Sequence, residues 1–283
     1  MWPLDHQRTR LRDLLGDVFD TVTADRLLAL TRTGLRLVPG RSGDAGHSRL
    51  GGLPRLDDGT PWPTHRDVPL DPLAVIDLAE LGPCDLPEPP PGVRFLSVFF
   101  LVEQPELLWT VPDPSTTWRV VPAKADAAER PAPDSARVRS ARTVEFAPVL
   151  TLPAWEDEIV PRTLAVADTP HPADPEDRID VYTEVTEVWD ELIGTELGHH
   201  DHRIGGWPTP VQAPVFGDVE TDPAPDHSSN GDDGVPWRLL LQLDSDEHLG
   251  WEWGDSGMLY FVAHDAHLQA GDFDATWLEM QCT

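Results

Sequence analysis

Lysine is almost absent from this 283-residue chain: Lys124 is the single one, and Lys and Arg together number 21 against 50 Asp and Glu, a formal charge of −29. A field of that sign repels polyanions and acidic lipid surfaces, which excludes a general nucleic-acid or membrane-surface binder. Cysteine is scarce as well. Cys84 and Cys282 are too few for a disulfide framework and lack metal-site spacing, so both read as structural thiols and a reducing cytoplasm is the expected home. Long apolar runs are missing: the longest, 95–102, contains Ser97 and falls far short of the ~20 residues of a membrane helix. The opening residues, 1–8, carry no apolar stretch of a signal peptide. The expectation is a soluble cytoplasmic protein with no nucleic-acid partner, no membrane and no cofactor.

Periodicity organises the remainder. Leu11, Leu14, Leu15, Val18 and Val22 follow helical spacing, with Arg12, Asp13, Asp17 and Asp20 on the opposite face, and a second short helix is expected from Ala24 to Leu30. Leu35, Leu37 and Val38 read as a strand, and 39–44 as a loop. Val185, Val188, Trp189, Leu192 and Ile193 restore helical spacing before Gly198. Between these lie a Pro/Ala/Asp-rich stretch at 111–137 and an acidic Gly/Ser/Pro loop at 217–236.

An internal repeat is the strongest pattern. Arg49-Leu50-Gly51-Gly52-Leu53-Pro54 returns as Arg203-Ile204-Gly205-Gly206-Trp207-Pro208, an offset of 203 − 49 = 154. In each half an apolar strand with an acidic end follows, Ile76-Asp77 first and Leu243-Asp244 second, and then a glycine with a further apolar strand, from Gly92 and from Gly257. The reading is an α+β fold of two similar halves built on antiparallel sheets, preceded by an amphipathic N-terminal helix. Its divisions are a helical segment (1–34), a first half (35–110), an excursion (111–140) and a second half (141–283).

These motifs resemble the YwqG-like bacterial proteins, a family of unknown function. The shared residues are Gly51-Gly52-Leu53-Pro54, Trp62-Pro63, Gln242-Leu243-Asp244, Trp253-Gly254-Asp255-Ser256-Gly257 and Gly257-Met258-Leu259-Tyr260-Phe261, with His202 and Gln212 matching a family His and Gln. The likeness runs from about residue 45 to the end. Val75 stands in the first half where the family pattern has Gln. The resemblance implies a shared fold and supplies no established reaction.

Several residue groups are candidates for chemistry. His199, His200, Asp201 and His202 bring three imidazoles and a carboxylate together, the side chains zinc prefers, yet alternate residues of a strand point to opposite faces, so His200 with His202 needs a third ligand from elsewhere. A solvated polar turn with His202 bonded into the core is the simpler reading, and no metal is assigned. Gly254-Asp255-Ser256-Gly257 resembles a protease nucleophile loop but lacks a placeable His and Asp. The segment 226–231 matches the early positions of a calcium loop, but its last position is Trp237 where a bidentate Glu is needed. The eleven tryptophans, against two tyrosines, offer core plugs or an aromatic groove. The candidate binding set is Arg49, Trp62, His202, Arg203, Trp207, Gln212, Gln242, Trp251, Trp253 and Asp255. The leading expectation is a non-catalytic protein that recognises a basic protein or peptide through an acidic, Trp-rich surface, with neutralisation of a bacterial toxin as one version implied by the family and the charge. The alternative is a metal-dependent hydrolase, or one using His202 as base and Asp255 as orienter, at the seam between the halves.

Overall fold

The computed structural model describes residues 3–40, 47–110, 114–165, 175–216 and 237–283. Most of the loop read at 39–44, the acidic loop with its calcium-like segment at 226–231, and residues 111–113 of the excursion lie outside the described residues.

Two helices open the chain, α1 (Leu4–Val18) and α2 (Thr21–Ala29). Pro3 precedes the first turn, where a missing N–H costs nothing. The Asp20 carboxylate accepts the N–H groups of Val22 and Thr23 and starts the second helix earlier than hydrophobic spacing indicates. There follow β1 (Arg32–Pro39), β2 (Arg49–Leu50), β3 (Arg55–Leu56), β4 (Thr64–His65), β5 (Val68–Pro69), β6 (Asp71–Asp77), β7 (Phe95–Phe100), the turn α3 (Leu107–Thr110), β8 (Trp118–Ala123), β9 (Ala128–Glu129) and β10 (Arg142–Thr151). The second part holds α4 (Ile159–Ala165), α5 (Pro175–Leu197), β11 (Arg203–Gly205), β12 (Trp237–Asp244), β13 (Met258–His264), α6 (Asp265–Ala270) and β14 (Trp277–Gln281).

Ten strands form one antiparallel sheet in the order β14-β13-β12-β11-β1-β10-β2-β6-β7-β8. The class is therefore α+β. The two expected sheets are two arms of a single sheet, joined through the central pair β1 and β10. The connections cross over: β1 precedes the first arm in the chain but pairs with β11, and β10 precedes the second arm but pairs with β2. The excursion at 111–140 also differs from expectation, because it supplies β8, paired with β7 along its whole length. Pro122 and the neighbouring charges disguise this strand, and they are tolerated because β8 is an edge. Gly92 and Gly257 are not counterparts in register: Phe95 faces Asp77 and Met258 faces Asp244, so Gly257 directly precedes its strand while Gly92 lies three residues earlier.

The sheet curls into a near-barrel. Trp118 of β8 donates its indole N–H to the Thr276 carbonyl at 3.0 Å, beside β14, and stands edge-on to Trp277 at 5.7 Å. Phe100 and Trp253 meet across the same interior at 6.1 Å. Inside lies a core drawn from both arms, including Leu73, Leu96, Leu241, Leu259 and Phe261. Outside, α1, α2, α4 and α5 cover Val149 and Leu150 of β10 with Leu11, Leu15, Tyr182 and Trp189. Because Trp118 ties the two ends of the sheet, Trp118→Ala is expected to lower unfolding free energy by about 3–5 kcal/mol. Trp118→Phe, which loses the bond to Thr276 but keeps a ring, should lower it by only about 1–2 kcal/mol in urea titrations.

Candidate functional site

The two arginine motifs make the same local structure. Arg49 donates Nη2–H to the Leu53 carbonyl at 2.6 Å, and Arg203 does the same to the Trp207 carbonyl at 2.6 Å. The glycine pairs permit it: Gly51 and Gly52 have φ of 67° and 79°, Gly205 and Gly206 of 64° and 78°. A Cβ at Gly206 would lie 2.7 Å from the Thr151 hydroxyl, so a side chain there is excluded by space as well as by backbone angle. The arms diverge in what the arginine meets next. Arg49 pairs with the half-exposed Glu129 at 2.9 Å and faces Val75 in register, whereas Arg203 faces Gln242.

Around Arg203 a buried ionic node forms. Its Nη1 donates to both oxygens of Asp201 at 3.1 and 3.0 Å, and Arg36 of β1 approaches the same carboxylate at 3.2 Å. Thr209 donates its hydroxyl to Asp201 at 2.9 Å and its N–H to the Gln242 side-chain oxygen at 3.0 Å, and Gln242 returns an N–H to the Asp201 carbonyl. Burial opposes ionisation of Asp201, but the Arg203 and Arg36 guanidinium groups overcome it and hold the carboxyl below its ordinary value. Asp190 of α5 opens onto an adjoining polar cavity of about 210 Å³ that also touches Arg203, Trp155 and Gln212. Loss of hydration against the surrounding protein, with the Asp201 charge nearby, pushes the Asp190 carboxyl up to about 6.

A second cleft, of about 220 Å³, is lined by Arg142, Thr143, His200, His202, Asp246 and His248 among others. His202 is buried. Its Nδ1 accepts the Asp244 N–H at 3.1 Å, so in the neutral ring Nε2 carries the proton and points at Asp246 Oδ2, 3.4 Å away. The hydrogen bond from His202, with the His248 N–H behind it, holds the Asp246 carboxyl well below the usual carboxylate range. His200 stacks on His202 with ring centres 5.9 Å apart.

The third cavity, about 470 Å³, is apolar. Leu78, Leu81, Leu86, Leu96, Leu240 and Phe273 contribute to its lining, so both arms meet in it. Cys84 lies in its wall, and burial pushes that thiol up to about 11, leaving it protonated and unreactive at neutral pH.

The structure thus brings together Arg203, Gln242 and Trp207, sets His202 one residue away, and places Gln212 at the mouth of the polar cavity. The others lie apart from that group, except that Trp251 stands edge-on to His202 at 6.0 Å with Trp253 beside it at 5.6 Å. Trp62 caps Phe99 in the first arm and donates to the Leu70 carbonyl. Trp251 and Trp253 are buried, the latter donating to the Asp244 carbonyl, and Trp118, Trp189, Trp207 and Trp237 are buried too. Among the described tryptophans only Trp109 and Trp155 are largely exposed, so of the two readings the sequence offered, core plugs describe most of them. Trp207 is used internally as well: Arg32 lies 3.5 Å over its ring and its indole N–H reaches the Leu30 carbonyl. Asp255 is exposed, and it is its backbone carbonyl that holds the turn, by accepting the Thr283 N–H. The carboxylate beside His202 is Asp246, not Asp255. Sequence reading missed Arg36, Thr209, Asp190, Asp246 and the apolar cleft. Only the last had a local signal, the five prolines within 83–91 that stiffen its rim.

These features define a helix-flanked antiparallel near-barrel with an ionic node on its outer face, beside the long helix α5, and with polar and apolar clefts. The chain belongs to the family described as Domain of unknown function (DUF1963), whose model matches residues 48–282. No curated protein matches the chain.

Removing Arg203 strands Asp201 with Arg36 alone, so Arg203→Ala should cost about 3–5 kcal/mol, while Asp255→Ala should stay within about 0.5 kcal/mol by chemical denaturation. Asp190 has the opposite pH sign to Asp201. A raised folded value favours the protonated, folded form at low pH, and that contribution fades as pH rises from about 4 towards 6. Asp190→Asn is therefore expected to raise the melting temperature at pH 7 more than at pH 4, by a modest margin because the side chain keeps contact with solvent.

Proposed function

We propose that this chain is a binding protein that holds a basic, partly apolar polypeptide segment across the seam between its two arms. The observation that carries this reading is the apolar cleft of about 470 Å³, built from both arms and open at its mouth. Apolar side chains of a partner would enter it, and the surface charge would attract the cationic residues beside them. The internal use of arginine sharpens that field: Arg36, Arg49 and Arg203 are buried against partners of their own chain. The acid character of the surface, not its tryptophans, supports the basic-partner reading. Neutralisation of a bacterial toxin is the concrete version of it.

The finer family reading belongs to the same proposal: a YwqG-like protein of bacterial origin, cytoplasmic, with an internally duplicated fold. Duplication is supported by the mirrored strand order about β1 and β10 and by the repeated arginine-to-carbonyl bond at Arg49 and Arg203. The free thiols of Cys84 and Cys282 support the compartment. A hydrolase is the second reading, favoured by the cleft where His200, His202, His248 and Asp246 converge.

A fluorescent amphipathic peptide of leucine and arginine tests the leading reading. Its association rate should fall several-fold as salt rises from about 0.01 to about 0.15 M, where the screening length shrinks from ~30 to ~8 Å. Leu81→Asn should weaken binding without changing that salt slope. A salt-independent association rate, or equal binding of a glutamate-for-arginine peptide, would sink the proposal.

A further inference from the structure

The geometry points to a divalent metal site of the zinc class formed by His200, Glu247 and His248 at the mouth of the histidine cleft. Their ligand atoms all lie within 4.8 Å of one another. The inference stands apart from the peptide-binding reading, since it concerns a different cleft.

Three features make this more than a gathering of polar side chains. First, the tautomer of His200 is set. Its Nδ1 lies 3.0 Å from the Ser245 carbonyl, which can only accept, so the neutral ring carries its proton there and presents a lone pair at Nε2. That Nε2 stands 3.6 Å from Glu247 Oε2 and 3.8 Å from Asp246 Oδ1. Second, the turn that bears the other two ligands is locked by its backbone. The His248 N–H donates to Asp246 Oδ1 at 2.7 Å, the Gly250 N–H to the Glu247 carbonyl at 3.2 Å, and Asp246 and Trp251 exchange hydrogen bonds. Third, the spacing is close to what the ion requires. Tetrahedral zinc with bonds of about 2.0–2.1 Å sets its ligands roughly 3.3–3.4 Å apart. His200 Nε2 stands 3.6 Å from Glu247 Oε2 and His248 Nε2 stands 3.8 Å from Glu247 Oε1, so the two imidazoles flank one carboxylate and small side-chain rotations bring the three ligands to this spacing. Three protein ligands leave one position open towards the cleft, where Arg142 and Thr143 line the wall. Asp246, held by His202, would sit behind as an outer carboxylate.

A comparable group in the first arm, His47, Asp77 and Glu80, shows what a spent cluster looks like. Asp77 is paired with Arg94, and the two Glu80 oxygens accept the N–H groups of His47 and Ser48. The Arg94 guanidinium already neutralises Asp77, and each Glu80 oxygen is turned towards a backbone N–H, so a cation there would compete with partners of the chain itself.

The test uses the full chain, stripped with chelator and desalted, then titrated with zinc chloride against a fluorescent zinc indicator and separately with cobalt chloride. One zinc per chain is expected, with cobalt giving the strong visible bands of a four-coordinate complex. His248→Ala and Glu247→Gln should each weaken zinc by about tenfold or more, since even outer-partner losses cost 10–100-fold. Both residues are exposed, so their melting temperatures without metal should match the parent. His47→Ala should leave zinc affinity unchanged. No saturable uptake, or uptake that survives the His200→Ala/His248→Ala pair, overturns the site and assigns any binding to the general acidity of the surface.

Discussion

A buried charge that must not be left alone organises this molecule. Asp201 is removed from water at the point where β1, β11 and β12 meet, and its carboxylate is kept ionised by Arg203 and Arg36 together with the Thr209 hydroxyl. Arg203 and Thr209 follow Asp201 closely in the chain, but Arg36 comes from β1 and Gln242 from β12, so the node is satisfied only when β11 lies in register between its neighbours. Arg36 also donates to the carbonyls of Gly198 and His200, which fixes the stretch leading out of α5 into β11. Such a node adds little net stability compared with apolar packing, yet it penalises every misregistered arrangement heavily.

The other features sit on that frame. With β11 held, the Asp244 N–H falls on His202, and His202 in turn faces Asp246. The turn 244–251 then projects Glu247 and His248 beside His200. On the opposite side, the curl of the sheet brings Leu96 of one arm towards Leu240 of the other and leaves the apolar cleft between them. The rim of that cleft is tied by Asp85, which receives two bonds from Arg238 at 2.6 Å and faces Arg32 at 3.3 Å. Ionic pairs internal to the chain therefore position both clefts, while the unpaired acids stay on the surface.

The two arms show how one local motif serves different ends. Arg49 and Arg203 close the same kind of glycine turn, but Val75 faces the first and Gln242 the second. An apolar neighbour leaves Arg49 to seek Glu129 near the surface, where the ion pair is partly hydrated. An amide neighbour that can donate and accept lets the second arm bury its arginine together with Asp201 and Thr209. Polar satisfaction, not overall strand pattern, separates the arms.

Much of the framework was legible in the residues alone. Helical spacing from Leu11 and from Val185, the repeated Arg-x-Gly-Gly turns, and the apolar strands ending in Asp77 and Asp244 all encode local geometry, and local geometry depends on neighbours in the chain. β8 escaped notice because an edge strand tolerates Pro122 and charges that break the alternating pattern. The single sheet, the crossed pairing of β1 and β10, and the fate of the tryptophans were decided only in three dimensions. Trp251 and Trp253 carry no local mark that distinguishes a groove from a core; curling of the sheet around them made the difference. The histidine cleft was half visible, since His200 and His202 lie two residues apart in sequence, but its carboxylates Asp246 and Glu247 lie more than forty residues away. Side chains that distant meet only through strand pairing, and no spacing rule along one chain can report which of them will share a site.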